Sequence, residues 1–144
     1  MMRTSLCDQL GIVHPSFSVG MGGSAGPELV AAVSNAGACG VLGTGARPAS
    51  QLRERIRHLR TLTDKPFGVN ILLPLLQEGQ IETCLDEKIP ILVLFWGDPT
   101  PYVAEAHRRG IKVLIQVGSV EEARAAGQRG WTRSSLRGLR PAGM

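Results

Sequence analysis

The stretch "GPELVAAVSNAGACGVLG", Gly26–Gly43, holds a complete helix-to-strand unit. Leu29, Val30, Val33 and Ala36 recur at the spacing of one helical face, and Asn35–Gly37 is a stop signal. "CGVLG" (39–43) then reads as a short strand. The same alternation extends in both directions. "SFSVG" (16–20) is a strand ahead of it. "PASQLRERIRHLRTL" (48–62) is a helix with Pro48 near its start and Leu52, Ile56 and Leu59 on one face. "PFGVNI" (66–71) is a strand and "QEGQIETCLDEK" (77–88) a helix. "IPILVLFWG" (89–97) is a continuous apolar run, as in a strand buried on both faces. "TPYVAEAHRRG" (100–110) is helical and stops at Gly110. "IKVLIQVG" (111–118) is the next strand, and "SVEEARAAG" (119–127) a helix opened by a Ser119–Glu122 capping box.

Strands alternating with helices of this length are parallel, right-handed βαβ units. An open doubly wound sheet and part of a (β/α)8 barrel both fit. A full barrel needs about 250 residues, and this chain has 144. Pattern and length alone therefore favour the open sheet.

Composition narrows the function classes. A hydrophobic fraction of 43% with 19% charged residues is that of a globular domain. The apolar runs fall short of the roughly 20 residues that cross a membrane, and "MMRTSLCDQLGI" has no signal-peptide core. Cys7, Cys39 and Cys84 lack metal-ligand spacing, so no metal site is expected, and reduced thiols imply a cytoplasmic protein. The net charge of +4 comes from the end of the chain: through Gly127, twelve basic residues balance twelve acidic ones, and the surplus is Arg129, Arg133, Arg137 and Arg140. A balanced body argues against nucleic-acid binding.

The segments "GMGGSAGPELVAAVSNAGACGVLGTG" (20–45), "LRERIRHLRTLTDKPFGVNILLP" (52–74), "IPILVLFWGDP" (89–99) and "GIKVLIQVGSVEEARAAG" (110–127) resemble the nitronate monooxygenase family, also called 2-nitropropane dioxygenase-like. Its members are FMN-dependent barrel enzymes, similar to the flavin-type enoyl-acyl-carrier-protein reductases. The resemblance reverses the preference for an open sheet. It implies a partial (β/α)8 (TIM) barrel comprising about the first five βα units, in residues 1–127. It also implies FMN at the C-terminal strand ends, and a nitronate or nitroalkane oxidised with O2 to a carbonyl compound and nitrite. The oligomeric state stays open. An enoyl-acyl-carrier-protein reductase relative and a non-catalytic fragment are the alternatives.

Several residues carry the expected site. Gly20, Met21 and Gly22 follow the first strand, where small residues let backbone approach a flat ring; a plain tight turn explains them equally well. Asn70 is an amide in an apolar strand, where an unsatisfied polar group costs a few kcal/mol, and it matches the family's FMN-binding asparagine. Gln116 is a second polar residue in a strand, and Trp96, Gly97 and Asp98 end another; Asp98 beside Pro99 also suits a turn or cap. Cys39 reads as a small core residue. His14, His58 and His107 do not match the family's catalytic base, so no catalytic residue is assigned.

The end of the chain, 128–144, reads "QRGWTRSSLRGLRPAGM". There the resemblance implies a further strand leading to "AQG-x-EAGGH", with a flavin-contacting Gln and the basic His. Shifting the frame of Gly130–Met144 by one base toward the 5′ side allows codons that spell "VDAVIAQGSEAGGH". The expectation is a chain truncated by a frameshift, with an aberrant, disordered basic tail and weak FMN binding.

Overall fold

A computed structural model of the chain describes residues 3–128 and 133–136. Five strands, β1 (Gly40–Gly43), β2 (Phe67–Leu72), β3 (Ile91–Phe95), β4 (Lys112–Val117) and β5 (Arg133–Leu136), form one sheet in sequential order. Every pairing is parallel. A doubly wound sheet reverses direction at a switch point; this one never does. The fold is a partial (β/α)8 barrel.

Helices α2 (Pro27–Asn35), α3 (Ala49–Leu62), α4 (Gln80–Asp86), α5 (Thr100–Arg108) and α6 (Val120–Gln128) connect or follow the strands. Strand alternation divides the core in two. Leu42, Phe67, Val69, Ile71, Leu92, Leu94, Val113 and Ile115 pack with the helices. Val41 and Ile91, with the partly buried Val93 and Leu114, face the other way, onto Cys7, Leu10 and Ile12. Two of those three belong to α1 (Ser5–Leu10), which closes the lower part of the concave face. This helix was not anticipated; six residues are too few for a periodic signal.

The first expected strand, 16–20, is reduced to a single parallel bridge between Phe17 and Cys39. Ser18 explains why pairing stops there: its Oγ accepts the Val41 N–H at 3.0 Å, replacing a main-chain partner. The buried face of α2 is also rotated from the expected one. Pro27, Val30, Ala31 and Ser34 are buried, whereas Leu29 is 41% exposed. Close helix-to-strand approach sets that rotation. A Cβ on Gly40 would lie 2.1 Å from the Val30 carbonyl oxygen. Ser34 Oγ donates to Pro66 O at 3.0 Å and accepts from Gly40 N at 3.1 Å. Glycine at residue 40 is therefore a packing requirement.

The capping box on α6 forms in modified shape: Ser119 Oγ accepts from Glu122 N at 3.1 Å, while Glu122 reaches back to Gly118 N at 2.7 Å. Arg133–Leu136 corrects the expectation of a patternless tail. These residues form β5, in register with Leu114–Val117. Parallel pairing draws on main-chain groups, which β4 offers along its free edge whatever the side chains. Arg129, Arg137 and Arg140 lie outside the described residues. No described helix is long and apolar enough to cross a membrane.

Candidate active site at the C-terminal strand ends

In barrels of this kind, chemistry is built at the C-terminal ends of the strands, and the expected residues converge there. Asn70 lies on the concave face, in register with Gly43 of β1 and Val93 of β3. Its Nδ2 donates to Val93 O at 3.3 Å. Its own carbonyl accepts from Thr44 Oγ1 at 2.8 Å and from Thr44 N at 3.3 Å. Thr44 is buried, so β2 is pinned at this level from the β1 side.

The Gly20–Gly22 turn folds over these strand ends. A Cβ on Gly20 would meet Asn70 Cβ at 2.6 Å and Oδ1 at 2.9 Å. A Cβ on Gly43 would meet Gly22 N at 2.7 Å. Glycine at residue 43 permits backbone-to-backbone contact, and glycine at residue 20 lets the turn's main chain rest on the Asn70 side chain. Nothing lies within 4 Å of the Cβ direction of Gly22, whose φ is +35°. Met21 beside it is 48% exposed. The amides of Gly22 and Gly23 make no hydrogen bond among the described residues. An open face, free amide donors and one adjacent carboxamide suit a flat ring with a polar edge.

Gln116 shares the concave face but stands on β4, in register with Phe95. It lies two strands from Asn70 and one inward layer nearer the mouth. Trp96 directly follows β3 at φ +51°, a conformation disfavoured for a bulky side chain. It is 59% exposed and stacks on Phe95 with ring centroids 4.2 Å apart. Asp98 accepts from the amide and hydroxyl of Thr100, the helix-start role its neighbour Pro99 suggested.

No histidine joins this cluster among the described residues. His14 precedes the first bridge and His107 is exposed at the end of α5. His58 pairs with Glu28 across α3 and α2 at 3.0 Å. Cys39 is buried in the core, and burial pushes its thiol up to about 12, so it is no nucleophile. No cluster of metal-binding side chains occurs among the described residues. A cleft of about 200 Å³ lined by Ile12, Ser34, Gly37 and Pro66 lies at the opposite, N-terminal end of the strands.

Sequence reading missed Arg47, Arg55 and Gln80. Arg47 Nη1 donates to Gly22 O and Thr44 O at 3.3 and 3.0 Å. Arg55 donates to Gly43 O at 2.7 Å and Ala25 O at 3.2 Å. The fully buried Gln80 donates to the carbonyls of Gly45 and Arg47 at 3.2 and 2.8 Å. Gln80 opens a short helix and the arginines look like an ordinary solvated face, so the sequence carries no signal for any of the three.

Comparison with known proteins decides the family. Residues 3–81 match the sequence profile of nitronate monooxygenase. The chain belongs to the nitronate monooxygenase family. Among its curated relatives is (3aS,4S,5R,7aS)-5-hydroxy-7a-methyl-1-oxo-octahydro-1H-indene-4-carboxyl-CoA dehydrogenase of Rhodococcus jostii. That protein is 32% identical over 124 residues, 85% of this chain and 35% of the relative. A probable nitronate monooxygenase of Staphylococcus saprophyticus is 41% identical over 73 residues, 51% of this chain and 21% of the relative. The structure of FabK from Thermotoga maritima superposes with a TM-score of 0.87 at 39% identity, over 93% of this chain and 43% of that one. This nitronate monooxygenase family chain thus spans about a third or less of the curated relatives' length.

Proposed function

We propose that Gly20, Met21, Gly22 and Asn70 form one wall of an FMN site in a nitronate monooxygenase, acting on a small nitronate or nitroalkane with O2. One observation carries this reading: the Gly20 backbone rests directly on the Asn70 side chain, so the turn and the amide form a single surface at the strand ends. The family match supports the chemistry. FMN, when bound, would supply the redox capacity that converts a nitronate to a carbonyl compound and nitrite.

The chain's own residues have simpler tasks. The Asn70 carboxamide orients the polar edge of the ring, and the Gly22 and Gly23 amides donate to its acceptors. Met21 gives an apolar contact, and Gln116 adds a polar group from β4. The described residues place no histidine where it could take a proton at these strand ends. Three free, buried thiols suit a reducing, cytoplasmic setting.

An enoyl-acyl-carrier-protein reductase relative is the second reading, favoured by the 39% identity to FabK. Two assays separate them: nitrite release from an alkyl nitronate, and NAD(P)H oxidation with an enoyl thioester. FMN fluorescence titration tests the shared site. Asn70→Ala should weaken binding by about 1–3 kcal/mol, as for a lost buried hydrogen bond. Equal affinity in the two proteins would remove Asn70 from the site.

A further inference from the structure

The Gly20–Ala25 turn has a problem of its own. Three of its six residues are glycine, so ordering it costs more backbone entropy than ordering a turn of the same length without glycine. Its internal bonds are two, from Ser24 N and Ala25 N to Met21 O. Such a turn needs external support to hold one shape.

That support comes from two guanidinium groups. Arg47 ties Gly22 O to Thr44 O, and Arg55 ties Ala25 O to Gly43 O, so each joins the turn to the end of β1. Neither arginine makes an ion pair among the described residues. Both give charged donors to main-chain carbonyls instead. Burial, and then repulsion from Arg47, lower the Arg55 pKa, so the arrangement carries an electrostatic cost. Gln80 in turn holds the main chain of Arg47.

Peptide planarity gives these bonds a direction. A carbonyl and the amide that follows it point to opposite sides of the chain. Drawing the Gly22 carbonyl toward Arg47 therefore aims the Gly23 N–H away from it. Drawing the Gly43 carbonyl toward Arg55 aims the Thr44 N–H the other way, where it meets Asn70 O at 3.3 Å. The same bonds that anchor the turn thus orient a free donor and brace Asn70.

We propose that Arg47 and Arg55 are positioning residues, a clamp that holds the Gly20–Ala25 turn and its amides in the shape that receives the cofactor. The inference rests on the FMN reading above, but its main test does not. Lysine keeps the charge and loses the planar fork, so Arg47→Lys and Arg55→Lys isolate the geometry. Amide hydrogen exchange on the FMN-free chain reports Ser24, Ala25 and Gly43, hydrogen-bonded in or onto the turn, and Thr44, bonded to Asn70 O. About tenfold faster exchange is expected there, as for one lost hydrogen bond, with β2, β3 and β4 unchanged. FMN affinity should fall by a similar factor. Unchanged exchange, or acceleration spread over the whole sheet, would overturn the clamp. Local loosening with unaltered FMN affinity would overturn its positioning role. If the unsubstituted chain takes up no FMN, the flavin reading fails on its own, and the exchange pattern still decides the clamp.

Discussion

Gly20 and Asn70 touch so closely that a methyl group on the glycine would sit 2.6 Å from the asparagine Cβ. Asn70 Cβ is fixed by the β2 backbone, which is paired on both sides, and cannot retreat. Gly20→Ala is therefore expected to displace the turn and cost about 1–3 kcal/mol, the usual range for overpacking. Urea denaturation measures it. Stability equal to that of the unsubstituted chain would show that the turn does not rest on Asn70.

The end of α4 offers a stabilising change far from the site. Lys88 N donates to Leu85 O and Ile89 N to Cys84 O, the two bonds of a Schellman motif, and Lys88 sits at φ +46°. Lysine is disfavoured in that region and glycine is not. Lys88→Gly should raise stability by about 1 kcal/mol, read as a higher denaturant midpoint at unchanged slope. A lower midpoint would contradict the assignment.

Glu87 ties α4 to α3. Burial pulls its carboxyl upward, but hydrogen bonds from Arg57 and Arg53, at 3.0 and 2.8 Å, outweigh this and hold it below the ordinary carboxylate range. A depressed folded-state pKa contributes stability above the unfolded value, and that contribution is lost as pH falls through the folded one. Glu87→Gln should thus destabilise the chain at neutral pH, and the difference should vanish in acid. Parallel denaturation curves at both pH values test it; a difference that persists in acid would count against the ion pairs.

Local chemistry decided which parts of this molecule could be read from sequence. The helices α2, α3 and α5 and the strands β2, β3 and β4 follow from apolar spacing and stop signals, because those patterns act within one element. Asn70 stood out because an amide in an apolar strand needs a reason. Gly40, Arg47, Arg55 and Gln80 act across elements: their partners lie up to 35 positions away, and nothing local marks them. The 16–20 segment looked like a strand because alternation does not reveal that Ser18 diverts the pairing. β5 was missed for the opposite reason: Arg133, Ser134 and Ser135 have poor strand character, yet the edge of β4 supplies the partner.

FMN is proposed to meet this chain at the Gly20–Gly22 turn and Asn70. Titrating FMN into the isotope-labelled 144-residue chain and following its amide NMR shifts tests it most directly, since weak binding remains visible. Shifts concentrated at residues 20–23, 44 and 70, and lost in Asn70→Ala, are the predicted result. An unperturbed turn at saturating FMN, or shifts gathered at the N-terminal strand ends around Ile12 and Gly37, would contradict it.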